Sequence, residues 1–274
     1  MIRKVSASLL ILCCYSGMLY AQSEDLFHHS LKVMLDPSNR AITVEDTIAL
    51  PSSFAEPRLI FSLNENLTIT DSADGVQQLQ TSSASTAVGI NSMGGEVAPA
   101  NSYVLNSLPA NSNQITISYS GLIYDLAEQD SAEYAQSFSE TTGIISELGV
   151  YLSKASMWIP EFYTDLITFD IQVEFADSAS SWTAVSQGDR GGKNTWISRQ
   201  PMEEAYLIAA DFTEYSIASD EVEMLAYLRQ PDSNLANKYL DATERYLTLY
   251  EPLLGEYPFS KFALIENFWN VPST

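Results

Sequence analysis

The chain of 274 residues carries 13 basic against 35 acidic side chains, a net charge of −22. That balance sets it against a nucleic-acid partner, because a polyanion is bound by Lys and Arg that release its counterions, and here it would meet repulsion. A hydrophobic content of 46% with 11% aromatic residues describes a globular chain, and both of its cysteines, Cys13 and Cys14, fall in an N-terminal apolar run, so the remainder has no disulfide and no thiolate metal ligand.

The first residues read as a cleavable secretory signal. Arg3 and Lys4 give a short positive start, Ala7 to Tyr20 is an uncharged apolar run, and Leu19-Tyr20-Ala21 closes it on a small residue before polar Gln22-Ser23-Glu24-Asp25. Cleavage is expected after Ala21, with residues 1–21 removed and the product periplasmic or secreted. The run is shorter than the ~20 apolar residues a spanning helix needs, and Ser16 and Gly17 interrupt it, which weighs against an uncleaved anchor. Neither cysteine has the preceding small residues of a lipid-attachment site.

Beyond the signal the chain is mainly β. Leu31, Val33 and Leu35 alternate on one face, as do Ile42, Val44, Ile48 and Leu50, and Asp36-Pro37-Ser38-Asn39-Arg40 between them is turn chemistry; the pair predicts a β-hairpin. Further period-two runs at Ile115 to Tyr119, Phe169 to Phe175, Trp182 to Val185 and Thr195 to Ser198 predict half-buried strands of an antiparallel assembly, with Gly188-Asp189-Arg190-Gly191-Gly192 as a turn before the last. Ser82 to Asn113 reads as surface loop around a weak strand at Tyr103-Val104-Leu105. Asp125 to Glu147, acidic with no basic residue, reads as a solvated excursion rather than a calcium loop, whose oxygens are more tightly spaced.

The pattern changes near Ser219. Val222 to Leu228 predicts a strand, and Asn234 to Leu254 predicts a helix whose stripe is Leu235, Tyr239, Leu240, Ala242, Tyr246, Leu247, Tyr250 and Leu254. Asp232 or Ser233 is the expected N-cap and Gly255 the stop, and Lys261 to Phe268 returns to strand. With nothing obvious to cover the stripe, this last part is expected to be a poorly covered appendage, opening to proteases first after about Asp220.

Residue chemistry points to no active site. The two histidines, His28 and His29, are adjacent near the mature terminus, where an extended chain sends neighbours to opposite faces, and a flexible terminus is a poor base for a metal site. Without another histidine there is no His-Glu-x-x-His helix and no Ser-His-Asp constellation. Glu203-Glu204 and Asp220-Glu221 read as surface pairs, and Trp158, Trp182, Trp196 and Trp269 as core or rim residues. Catalytic, substrate-binding and metal residues are therefore all assigned as none.

The segment Leu253-Leu254-Gly255-Glu256-Tyr257-Pro258-Phe259-Ser260-Lys261-Phe262 resembles one of the membrane alanyl aminopeptidase family, zinc peptidases of the gluzincin type, in which a long helix runs through an aromatic-glycine and tyrosine-proline turn into a strand. Trp158-Ile159-Pro160 resembles that family's aromatic-x-proline, Pro201 to Ala209 (PMEEAYLIA) its domain-closing strand, and the Leu31 to Leu50 hairpin its opening one. The resemblance implies an N-terminal antiparallel saddle-like β-sandwich domain over 22–218 and, over 219–274, the beginning of an α/β thermolysin-like domain. It implies zinc for a full-length parent and a peptide substrate through that parent. The family's zinc helix has no counterpart here, Glu266-Asn267 follows Ala263-Leu264-Ile265 rather than the family's glycine and methionine, and Tyr151 stands where the family places an amine-binding Gln or Glu. The competing expectation is a non-catalytic secreted β-sandwich that binds a peptide or glycan.

Overall fold

A computed structural model describes residues 25–56, 58–72, 76–78, 97–106, 113–126, 141–162, 166–218 and 222–268. The signal expected at 1–21, Trp269, and most of the stretches 82–113 and 125–147 lie outside these. In chain order the strands are β1 (Phe27–Asp36), β2 (Ala41–Ala49), β3 (Leu59–Asn64), β4 (Leu67–Ser72), β5 (Val76–Gln78), β6 (Ala100–Leu105), β7 (Gln114–Leu122), β8 (Ile144–Ser146) and β9 (Gly149–Leu152). They continue as β10 (Ile167–Phe175), β11 (Thr183–Val185), β12 (Asp189–Gly192), β13 (Thr195–Met202), β14 (Leu207–Ala210), β15 (Thr213–Ala218) and β16 (Glu223–Leu228), then helix α1 (Ser233–Leu254) and β17 (Lys261–Ile265).

The hairpin expected from alternation is present. β1 and β2 pair antiparallel from His28 opposite Ala49 to Asp36 opposite Ala41. The Asp36 side chain accepts from the Asn39 N–H in the turn, and Arg40 adopts φ 58 while its guanidinium lies 3.6 Å from the Tyr124 ring centre. These two strands are central in a seven-stranded sheet of order β12-β13-β10-β1-β2-β7-β4. The inner rows of this sheet, among them Leu31, Val33, Val44, Ile117, Tyr119 and Ile171, pack on a four-stranded sheet (β11-β14-β9-β8) and a three-stranded one (β3-β6-β5), making a sandwich with one continuous core.

The sheet is mixed rather than antiparallel throughout: β1 runs parallel to β10, from Phe27 opposite Ile167 to Leu35 opposite Phe175. Alternation cannot reveal this, since it fixes which face a residue takes and not the direction of the neighbouring strand. The Gly188 to Gly192 segment is also not the turn. Asp189–Gly192 is edge strand β12, paired irregularly with β13, and the reversal comes at Lys193–Asn194, with Asn194 at φ 54. Glycines there serve the close approach of two strands: a Cβ on Gly188, itself at φ 78, would sit 2.2 Å from the Ile197 carbonyl oxygen. Nor is Pro201 to Ala209 one strand, since Glu203 to Tyr206 separates the end of β13 from β14.

The C-terminal part is better covered than the pattern suggests. β15 and β16 form an antiparallel pair and β17 joins β16 in parallel, so the boundary expected at 218 falls inside one hairpin. One face of this sheet, Leu225 and Tyr227 with Ala263 and Ile265 beside them, packs on Val185, Trp196, Ala210 and Phe212 of the sandwich. The other face, Met224, Ala226 and Leu228, receives α1. The expected appendage is thus docked, through its sheet and the N-terminal half of α1. Asp232 is the N-cap, its Oδ1 accepting from the Leu235 N–H at 2.9 Å, and Gly255 at φ 94 ends the helix. Ala236, Leu240 and Thr243 are buried, with Leu235 and Leu247 partly so, whereas Tyr239, Ala242, Tyr246, Tyr250 and Leu254 of the expected stripe are exposed. A narrow contact with two strands reaches only one side of a wide stripe.

Candidate functional site

The period-two rows place two polar side chains inside the sandwich. His29 lies between Phe27 and Leu31 on the inner row of β1, and Asp46 lies between Val44 and Ile48 on the inner row of β2; both are fully buried. Adjacency to the terminus suggested a flexible pair of histidines, but both stand in a central strand of the large sheet. As expected for an extended chain they diverge. His28 faces outward, with Nδ1 2.9 Å from Thr168 Oγ1 and Nε2 3.4 Å from Asp170 Oδ2, while His29 faces the core.

His29 Nδ1 is 2.7 Å from Asp46 Oδ2. A carboxylate only accepts, so the proton of this bond belongs to Nδ1 and the neutral ring then offers Nε2 as an acceptor. Among the described residues Nε2, Asp46 Oδ1 and the Tyr119 hydroxyl have no hydrogen-bond partner. Burial, and then the charge of Asp46, push the Tyr119 hydroxyl well above its ordinary value, so it stays a neutral donor. Phe162 sits 5.8 Å from the His29 ring and stacks on Phe27 at 4.4 Å.

Beyond His29 lies a cavity of about 20 Å³, lined by Trp158, Pro160, Phe162 and Ile167 within and by Lys154, Glu161, Glu203 and Glu204 toward its mouth. The segment that covers it is fastened at several points. Trp158 Nε1 donates to the Ala205 carbonyl at 3.0 Å, Asn64 Nδ2 to the Ser156 carbonyl at 2.8 Å, and the backbones of Ser62 and Glu161 exchange bonds at 2.9 Å. At the mouth Glu204 Oε2 accepts from the Lys154 backbone N–H at 2.9 Å, and Lys154 Nζ stands 3.7 Å from Glu161 Oε2. The signal that could have exposed this site was Asp46, the one charged residue on an otherwise apolar inner row of β2.

A second polar cluster lies in the seam between the sandwich and the C-terminal sheet. Lys261 Nζ donates to the Gly188 carbonyl at 2.6 Å and lies 4.6 Å from the Trp196 ring centre; Arg190 lies 5.2 Å from the same ring and bonds to Glu214 at 2.9 Å and the Tyr227 hydroxyl at 3.0 Å. Burial holds the Lys261 ammonium down at about 8; Arg190 adds to this, while Asp189 and Glu223 oppose it. Burial and Glu214 raise the Tyr227 hydroxyl. These groups join two layers. Glu266 likewise accepts the Arg229 backbone N–H, closing the end of β17 on β16, and Tyr151 lies in β9 with its ring 6.2 Å from that of Tyr206.

Among the described residues no three His, Cys, Asp or Glu side chains converge as a metal site, and no helix is long and apolar enough to cross a membrane. No protein-family model and no curated protein matches the sequence. The fold does have relatives. An M1 zinc metallopeptidase from Deinococcus radiodurans is similar to it with a TM-score of 0.55 at 15% identity, over 88% of this chain and 55% of that one. A mutant of the same enzyme gives a TM-score of 0.57 at 13% identity, covering 88% of this chain and 56% of that one. A two-domain M1 zinc metallopeptidase bound to L-tryptophan gives 0.57 at 14%, with the same coverage of 88% and 56%. The chain therefore shares the fold of the M1 zinc metallopeptidases at a distance and spans little more than half the length of these structures.

Proposed function

We propose that this chain is the N-terminal part of an exported zinc aminopeptidase-like protein, whose full-length form hydrolyses N-terminal peptide bonds, and that the chain alone is not catalytic. The observation that carries this reading is the likeness of fold over 88% of the chain but only 56% of the M1 structure. The described residues do not fit the zinc that the fold implies. A catalytic zinc takes three protein ligands and keeps a position for water; His28 and His29 diverge across the sheet, and Asp46 already occupies His29 Nδ1. A peptide substrate is accordingly proposed for the parent and not for this chain.

Elemental analysis after dialysis against a weak chelator, with an aminoacyl-arylamide assay on the same sample, tests the second half of the proposal. Retention of one zinc per chain with chelator-sensitive turnover would overturn it. Sequencing the coding DNA beyond Thr274 tests the first half, where a reading frame containing His-Glu-x-x-His is expected and a stop codon would count against it. Export is proposed from the leader ending at Ala21. N-terminal sequencing of the localised protein should begin near Gln22, and recovery of Met1 would refute export with cleavage.

A further inference from the structure

The cavity over His29 combines features that select one kind of ligand. It is lined by His29, a fully buried imidazole whose Nδ1 is engaged by Asp46 and whose Nε2 has no partner among the described residues, so in the neutral ring Nε2 offers a lone pair to a hydrogen-bond donor. Its walls are aromatic and apolar, chiefly Trp158, Ile159, Pro160 and Phe162. Its mouth carries three carboxylates, Glu161, Glu203 and Glu204, against the one ammonium of Lys154, which stands beside Glu161. At about 20 Å³ the cavity admits one water-sized group, and it opens outward, so the rest of a larger molecule can remain in solvent.

We propose that this cleft binds a primary alkylammonium group, the chemistry found at the end of a lysine side chain. The ammonium donates to His29 Nε2, its charge faces the rings of Phe162 and Trp158, and the excess of carboxylates at the mouth draws it in. A neutral alcohol of the same length shares the donor but not the charge, and an anion meets repulsion at the mouth. The site is independent of zinc and of the proposed peptidase reading, because every group in it lies on the sandwich.

The test uses the whole chain and n-butylammonium chloride, followed by nuclear magnetic resonance of the Trp158 indole N–H and the His29 ring nitrogens, with 1-butanol as the uncharged control. The expected result is saturable shifts of both residues with the amine, none of comparable size with the alcohol, and affinity reduced about tenfold in Glu203→Gln/Glu204→Gln. That variant keeps an amide oxygen to accept from the Lys154 N–H and leaves the buried pair intact. A His29→Gln variant, checked for folding by thermal denaturation, should lose the response as well; should it fail to fold, the glutamine pair alone decides. An equal response to butanol, shifts indifferent to the glutamine pair, or no response at Trp158 and His29 would each overturn the proposal.

Discussion

Asp46 and His29 are the least economical residues in the sandwich, two ionisable groups removed from water to make one 2.7 Å bond between neighbouring strands. A buried pair can contribute little net stability, yet either partner alone is costly because it leaves a polar group uncompensated. Asp46→Leu should therefore destabilise the chain by about 3 kcal/mol, whereas His29→Leu/Asp46→Leu should recover most of that loss. Urea denaturation of the two variants measures both, and additive losses would show that the residues do not act as a pair. Lys261 gives a pH signature of opposite sense to an ordinary ion pair. Its folded-state value of about 8 lies below the unfolded 10.5, so between them the unfolded chain binds the proton and the folded chain does not. Stability from this group is absent below about 8, rises with pH from 8 toward 10.5, and is complete above that. Comparing wild type with Lys261→Met by thermal denaturation from pH 7 to about 10, before the raised tyrosines ionise, should give a rising difference in Tm. A flat difference would mean that the amine is not held out of water.

At the scale of elements, what the sequence makes legible depends on whether an element has one wet face. β1, β2, β7 and β10 do, and their alternation is plain; the helix is marked by Asp232 and Gly255 at its two ends. β3 does not, since Phe61 through Asn64 are buried at consecutive positions, and β8 and β9 are too short to carry a period. β12 is all exposed and rich in glycine, which reads as a turn. The candidate site was hidden by the same logic, because polar residues are assigned outward by default and His29 and Asp46 point in. The β8–β9 hairpin also requires a glycine: a Cβ on Gly149 would meet the Phe268 ring at 2.7 Å. Phe268 is buried and follows β17, so it ties the end of the C-terminal sheet to the sandwich. Gly149→Val should displace that ring and raise amide hydrogen exchange across Lys261–Ile265 while leaving β1 and β2 protected. Unchanged exchange in β17 would show that the sheet is held by the Trp196 seam alone.

Across the whole molecule two properties oppose one another, a net charge of −22 and an apolar face left open on α1. Leu249, Leu253 and Leu254 are 63%, 72% and 81% exposed, and Tyr246 62%, so the patch occupies the C-terminal half of α1, past the turns that bury Ala236, Leu240 and Thr243. An open patch of this kind promotes association, whereas like charge keeps copies apart until salt screens it within about 10 Å at ~0.1 M. Which effect wins should therefore depend on ionic strength: the chain is expected to be monomeric in dilute buffer and to associate reversibly as salt is added. Leu249→Glu/Leu253→Lys tests the location. It converts the face to an i,i+4 pair in the favourable orientation, with Glu on the N-terminal side, so the helix itself keeps its stability. Sedimentation velocity should show the salt-induced association lost in this variant with Tm essentially unchanged. A fall in Tm of several degrees would instead mean that these leucines are packed in solution, and association that persists would place the contact on another surface.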